Sequence, residues 1–284
     1  MQTVHTIAEL RTVIAQQKSA GKTIGFAPTM GNLHEGHITL IREGHKHADF
    51  MVSSIFVNPT QFGEGEDFDA YPRTLEADSS KLEAAGCSCL FAPSADEMYP
   101  AETSTWASVQ VHNITHRHCG ADRPGHFDGV STVVTKLFNI VTPDVALFGK
   151  KDFQQLAVIR RMTTALCFNT EIIGVETVRE KSGLAMSSRN GFLSEKEKNK
   201  ASALYQQLCT AKEKILQGNS DFEKITHEAR NTLTDAGFGA GYFTVCNASS
   251  LEPATENDTS LVILATAQMG GARLIDNIDF ERGL

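Results

Sequence analysis

Two short runs that are largely apolar rather than alternating, residues 23–28 and 50–57, most restrict what this chain can fold into. A strand that is apolar on both sides must be covered on both faces, which is the situation of a parallel sheet between layers of helices. Each run breaks off in turn-forming residues, Thr29-Met30-Gly31 after the first and Asn58-Pro59 after the second, so each reads as a strand with a functional loop at its C-terminal end. Thr6 and Glu9 form a capping-box pattern ahead of Ile7, Leu10, Val13 and Ile14, whose spacing predicts an amphipathic helix ending near Gly21. Further on, residues 75–85, 129–141 and 153–166 read as helices, and 87–92, 145–148 and 172–175 as strands. The alternation predicts an α/β fold with a doubly wound parallel, Rossmann-like sheet.

The texture changes near Val178. A polar Gly/Ser segment is followed by a second capping box, Ser194 with Glu197, and by two long charged helical patterns that run to about Gly237. Strand-like runs follow at 242–245, 261–265 and 273–276. The expected organisation is a Rossmann-like first domain over 1–177 and a smaller α+β domain over 178–284; a length of 284 residues with 41% hydrophobic composition suffices for one large and one smaller core.

A formal net charge of -8 argues against a general nucleic-acid binder, whose affinity needs a broad cationic face. Any anionic ligand must instead meet a local positive site. No run of about 18 apolar residues predicts a membrane helix, and Met1-Gln2-Thr3-Val4-His5 lacks the start of a secretory signal, so a soluble cytoplasmic protein without a membrane partner is expected. Six cysteines without a Cys-x-x-Cys pair read as reduced, mostly buried thiols. His112, His116, His118 and Cys119 are dense enough to suggest a metal, but no matching cluster occurs elsewhere.

The segment Pro28-Thr29-Met30-Gly31-Asn32-Leu33-His34-Glu35-Gly36-His37 joins the first strand to a helix. Two imidazoles three residues apart at a helix N-terminus sit where free N–H groups and the helix dipole attract anions, which suits a nucleotide phosphate. On spacing alone, one histidine capping the helix with the other packed in the core remains open, as does metal ligation by the pair. The strand ending in Pro-Thr-Met-Gly before the pair resembles the His-x-Gly-His nucleotidyltransferases. Six blocks then occur in the order found in pantothenate synthetases: 28–37, Phe56-Val57-Asn58-Pro59-Thr60-Gln61-Phe62, Tyr71-Pro72-Arg73-Thr74, Arg123-Pro124-Gly125-His126-Phe127, Lys151-Asp152-Phe153-Gln154-Gln155-Leu156 and Met186-Ser187-Ser188-Arg189-Asn190. The chain resembles that family through most of its length, most strongly between about residues 24 and 193.

The resemblance implies ATP-dependent joining of pantoate to β-alanine through a pantoyl adenylate, releasing pyrophosphate and AMP. It assigns His34, His37, Lys151, Ser187, Ser188 and Arg189 to the chemistry. Met30, Gly149, Asp152, Val178 and Met186 would join them around ATP, and Met30, Asn58, Gln61, Arg123 and Gln155 would form the pantoate pocket. Asp78 matches an acidic position associated with Mg²⁺, although a solvated helix-face aspartate is the plain alternative. Ser187-Ser188-Arg189 resembles the mobile loop of related adenylating enzymes, so the second domain would act as a lid, and a homodimer formed through the apolar strand region of the first domain is expected. Lys150 departs from the family's usual Glu and adds a positive charge beside the expected phosphate site. An adenylyltransferase acting on a phosphate ester, or a nucleotide-sensing module without turnover, are the competing readings; the short acidic chain disfavours a tRNA synthetase.

Overall fold

The computed structural model describes residues 1–66 and 68–283. The chain divides into two compact units, one of Met1–Gly149 with Gln154–Glu176, the other of Lys150–Phe153 with Thr177–Leu284. The second therefore includes five residues that sequence reading placed in the first, Lys150–Phe153 and Thr177. Among the described residues no helix is long and apolar enough to cross a membrane.

The first unit begins with β1 (Gln2–Val4) and α1 (Ile7–Ser19), then β2 (Ile24–Thr29), α2 (Glu35–Gly44) and β3 (Phe50–Ile55). It continues through α3 (Leu75–Ala84), β4 (Cys89–Phe91), two four-residue helices, α4 (Ala95–Met98) and α5 (Cys119–Asp122), and the long α6 (His126–Val141). It closes with β5 (Val145–Gly149), α7 (Phe153–Ala165) and β6 (Glu171–Val175). All six strands are parallel, in the order β1-β4-β3-β2-β5-β6. The predicted doubly wound sheet is therefore present. From β2 the chain moves outward through β3 to β4 and then crosses back to β5 on β2's other side, so the order reverses between β2 and β5. Ligands of such sheets bind outside the strand C-termini at that reversal.

The strands are apolar on both faces because both are covered. Ile24, Phe26, Val52, Phe91, Ala146 and Phe148 join a core with residues of α1, α6 and α7. Their neighbours Ala27, Met51, Leu90, Val145 and Leu147 point the other way, into a core with Leu40, Ile41 and Leu82 of α2 and α3. Each fully buried side chain of this size contributes about 1.5–3 kcal/mol. The capping box of Thr6 and Glu9 starts α1 as expected.

Several boundaries differ from the sequence reading. β1 was not foreseen, because three residues carry no period. β3 stops at Ile55 and β4 spans only Cys89–Phe91, since the flanking residues turn away into loops. α6 starts at His126 rather than 129: Gly125 adopts φ +80° and ends the preceding loop, and the helix runs straight through Gly129. A Cβ on Gly129 would lie 2.3 Å from the Thr60 carbonyl oxygen and 2.7 Å from Gln61 Cα, so only glycine lets α6 touch the loop after β3.

The second unit packs α8 (Glu195–Ala201), α9 (Ala203–Leu216) and α10 (Phe222–Asp235) on an antiparallel sheet, β7 (Phe243–Asn247), β8 (Ser260–Met269) and β9 (Ala272–Glu281). Ser194 and Glu197 form their capping box. The first charged pattern is broken at Ser202 into two helices, and the last two strands are longer than predicted, joined by Gly270-Gly271 in a two-residue turn.

No disulfide forms among the described residues. Cys87, Cys89 and Cys246 are buried, but Cys119 and Cys209 are half-buried and Cys167 is exposed, fewer buried thiols than expected. Burial pushes Cys87 up to about 12 and Cys89 up to about 11, which keeps both protonated and inert. No group of three or more potential metal ligands occurs among the described residues.

Gly129→Ala is expected to destabilise the first unit by about 1–3 kcal/mol through overpacking against Thr60 and Gln61. A lower urea midpoint checks this; an unchanged one would contradict the close approach.

Candidate active site

The turn after β2 is built on positive backbone angles: Gly31 has φ +88° and Asn32 φ +51°. That geometry aims the N–H groups of Asn32 and Leu33 at one point, where the fully buried Asp78 of α3 accepts both, each at 2.8 Å. The Asp78 carboxylate also accepts the Thr74 hydroxyl at 2.9 Å, with Lys81 Nζ 3.9 Å away. Lys81 itself donates to the Leu33 carbonyl at 2.6 Å. This corrects both expectations for Asp78. It is no solvated helix-face residue, and it does not fit a metal ligand, because it is fully buried and three of its four lone-pair sites already hold two backbone N–H groups and the Thr74 hydroxyl.

His34 and His37 follow that turn. His34 is the N-cap of α2, its Nδ1 accepting the Gly36 N–H at 3.1 Å, while His37 Nδ1 accepts the His34 N–H at 3.3 Å. The two rings stack with centroids 4.1 Å apart. The capping reading holds for His34, whereas His37 is half-buried and joins the cap rather than packing in the core. The arrangement has a chemical result: with each Nδ1 lone pair occupied, a neutral ring carries its proton on Nε2, which becomes a donor. Gly36 is what allows this, since a Cβ there would lie 2.9 Å from the His34 ring. The helix N-terminus adds its own partial positive charge.

Beside this turn lies the loop after β3. Thr29 Oγ1 donates to the Ser54 carbonyl at 2.7 Å, tying the ends of the two strands. Asn58 is buried and donates from Nδ2 to Gln61 Oε1 at 3.1 Å and to the Gly129 carbonyl at 3.2 Å. Gln61 Nε2 in turn reaches Met30 Sδ at 3.2 Å. Met30, Asn58 and Gln61 are therefore brought together.

Arg123 is placed differently from the expectation of an anion ligand. Its guanidinium makes a two-pronged pair with Glu66, at 2.6 and 2.5 Å, and reaches the Gln61 carbonyl at 3.4 Å, which His126 Nδ1 also contacts at 2.8 Å. The Arg123 hydrogen bond holds the Glu66 carboxyl below its ordinary range. Arg123 thus anchors the Gln61 loop, and that anchor weakens only as pH falls through the lowered Glu66 value.

On α7 two neighbouring glutamines divide the labour. Gln154 is buried and holds the Ile114 and Arg117 carbonyls and the Cys119 N–H. Gln155 is half-buried, and its side chain makes no hydrogen bond among the described residues. Gly149 ends β5 with open space where a Cβ would sit.

The remaining candidates belong to the second unit. Lys151 lies in the turn Lys150–Asp152, with its ammonium 3.7 Å from Asp152. Lys150 does not add a net charge as expected: its Nζ pairs with Asp279 at 2.9 Å. Val178 and Met186 face each other across a small hairpin, the Met186 N–H donating to the Val178 carbonyl at 2.9 Å. Ser187 caps the following turn, Ser188–Phe192, by accepting the Arg189 N–H at 3.2 Å. Sequence reading did not single out Asp276, Asn277 or Asp279, which grip these segments from β9. Their partners are 97 to 129 residues away, so no local pattern could mark them.

A parallel sheet with a donor-bearing helix N-terminus at its switch point defines a doubly wound α/β protein equipped for anions. The profile of the family described as pantoate-beta-alanine ligase matches residues 2–279. The chain belongs to the pantoate-β-alanine ligase family. It is 54% identical to the pantothenate synthetase of Shewanella loihica, over 99% of this chain and 100% of that one. The crystal structure of pantothenate synthetase from Thermus thermophilus superposes with a TM-score of 0.92 at 42% identity, covering 98% of this chain and 99% of that one. A pantoate-β-alanine ligase from Francisella tularensis, crystallised as a complex with beta-gamma ATP and β-alanine, superposes with a TM-score of 0.78 at 31% identity over 98% and 97% of the two chains.

Asp78→Asn replaces an acceptor by a donor facing buried N–H groups, and should cost about 1–3 kcal/mol. Amide exchange at Asn32 and Leu33 is expected to accelerate with it; protection equal to the parent's would remove Asp78 from its role as clamp.

Proposed function

We propose that this chain condenses pantoate with β-alanine in two ATP-dependent steps. The observation that carries this reading is the pair His34 and His37, each with Nδ1 held by a backbone N–H so that Nε2 is the donor. Family membership and the relative complexed with beta-gamma ATP and β-alanine support it.

In the first step a pantoate carboxylate oxygen attacks the α-phosphorus of ATP, the bond to the β-phosphate oxygen breaks, and pyrophosphate leaves. Charge builds on the phosphate oxygens, where His34, His37, Lys151, Ser187, Ser188 and Arg189 supply donors and cations. Asp152 takes the ribose hydroxyls, and backbone around Gly149, Val178 and Met186 flanks the nucleoside. Gln61 and Gln155 hold the pantoate, with Met30 and Asn58 in the pocket wall; Arg123 acts through the Gln61 loop. Most of the acceleration is positioning and electrostatics. In the second step the neutral amine of β-alanine attacks the acyl carbon of pantoyl adenylate, the C–O bond to the phosphate breaks, AMP leaves, and the amine's proton passes to solvent.

Mg²⁺ would accompany the triphosphate and offset its charge, and Asp78, closed off in its turn, would not hold it. From the family resemblance we also carry over a cytoplasmic homodimer paired through the apolar strand region of the first unit, and a second unit that serves as a lid through its Ser187-Ser188-Arg189 segment.

With β-alanine withheld, mass spectrometry should detect pantoyl adenylate. Replacing His37 or Lys151 by Ala should slow pyrophosphate release in a single turnover by about 100- to 1,000-fold. A variant that releases pyrophosphate at nearly the parent rate under saturating substrates would lose its assigned role.

A further inference from the structure

The turn that carries Lys151 follows β5 in sequence, yet it is held by the last strand of the chain. Asn277 of β9 is buried, and its side-chain amide donates to the carbonyl of Lys150 at 2.9 Å and to that of Lys151 at 2.8 Å. Both hydrogens of one NH₂ group are thereby used on two consecutive peptide units. Few side chains can do this: an amide offers two donors on one nitrogen, whereas a hydroxyl offers one and a carboxylate none. Two carbonyls held at fixed distances from one nitrogen fix the direction of the peptide between them, and so the direction in which Lys151 leaves the backbone. Asp279, two residues on, closes the same turn through Lys150 Nζ at 2.9 Å.

The neighbouring residue on β9 holds the other cationic segment. Asp276, also buried, accepts from both Arg179 guanidinium nitrogens, at 2.7 and 2.9 Å. Arg179 is bridged to Ala185 in the hairpin that leads into Met186, Ser187, Ser188 and Arg189. Adjacent positions of one strand thus set both the Lys151 turn and the base of the Ser-Ser-Arg segment. Neither set of contacts is needed to close the β8–β9 ladder, which is made by backbone groups.

We infer that Asn277 is a positioning residue for adenylate formation: its two donated hydrogen bonds aim Lys151, in register with the segment that Asp276 holds. The inference rests on the reading that Lys151 meets the phosphates in the first step. It assigns Asn277 no contact with substrate.

Asn277→Asp is nearly isosteric but points an oxygen at two carbonyl oxygens, so the turn must swing away while the strand keeps its shape. Displacing a reacting group by about 1 Å costs about 100-fold in rate. We therefore expect N277D to slow single-turnover pyrophosphate release about 100-fold, and to leave the reaction of preformed pantoyl adenylate with β-alanine within about threefold of the parent. In the double variant K151A/N277D the loss should not exceed that of K151A by more than about twofold, because a residue that acts through Lys151 has nothing left to act on. Multiplied losses in the double variant, or equal slowing of both half-reactions, would overturn the link to Lys151. If K151A alone released pyrophosphate at the parent rate, the role of Lys151 would itself be refuted, a result distinct from additive losses. Asn277→Ser retains one short donor and should give an intermediate loss with the same non-additivity, which keeps the test available if the aspartate variant does not fold.

Discussion

The arrangement depends on a carboxylate that never reaches solvent. Asp78 meets the N–H groups of Asn32 and Leu33, and that contact makes the left-handed backbone of Gly31 and Asn32 tolerable. Without it the turn after β2 would lose the partner of two backbone donors, the Leu33 one buried, while keeping a positive φ at Asn32, a residue with a side chain. With it, α2 starts at a fixed place and His34 can serve as its cap. The imidazoles then inherit their tautomers from the backbone, so a property that looks like side-chain chemistry is decided by main-chain geometry.

What was legible in the sequence was whatever repeats locally or is covered on both sides. The runs around Phe26 and Val52 announced buried strands because each face of the sheet has its own core. The capping boxes at Thr6 and Ser194 were visible because both partners lie within one turn. What escaped detection was fixed by distant partners. Asp78 looks like an ordinary polar position of a helix until the N–H groups some 45 residues earlier are known. Arg123 reads as a ligand in a flexible loop, yet Glu66, 57 residues away, takes its guanidinium. Gly129 resembles a helix breaker, but its reason is the Thr60 carbonyl.

The two units bring different chemistry. The first supplies imidazole, amide and main-chain donors, groups that orient strongly and carry little net charge. Of the residues proposed for the first step, the second unit carries Lys151 and Arg189, each on a short turn rather than on a long element. Lys150 shows how the second unit limits that charge: Asp279 takes it up, so the turn presents less positive charge than its sequence suggests.

The grip of β9 on a turn 126 residues upstream has a consequence for biosynthesis. During translation the first unit can complete its six-stranded sheet once β6 has emerged, and its imidazole turn can reach final form then. The Lys151 turn has to wait until β9 has been made, because the amide that anchors it sits in that strand. A nascent chain would therefore hold its imidazole turn well before its Lys151 turn, and a ribosome that stalled ahead of β9 would release a protein with an intact sheet and a lysine turn without its anchor.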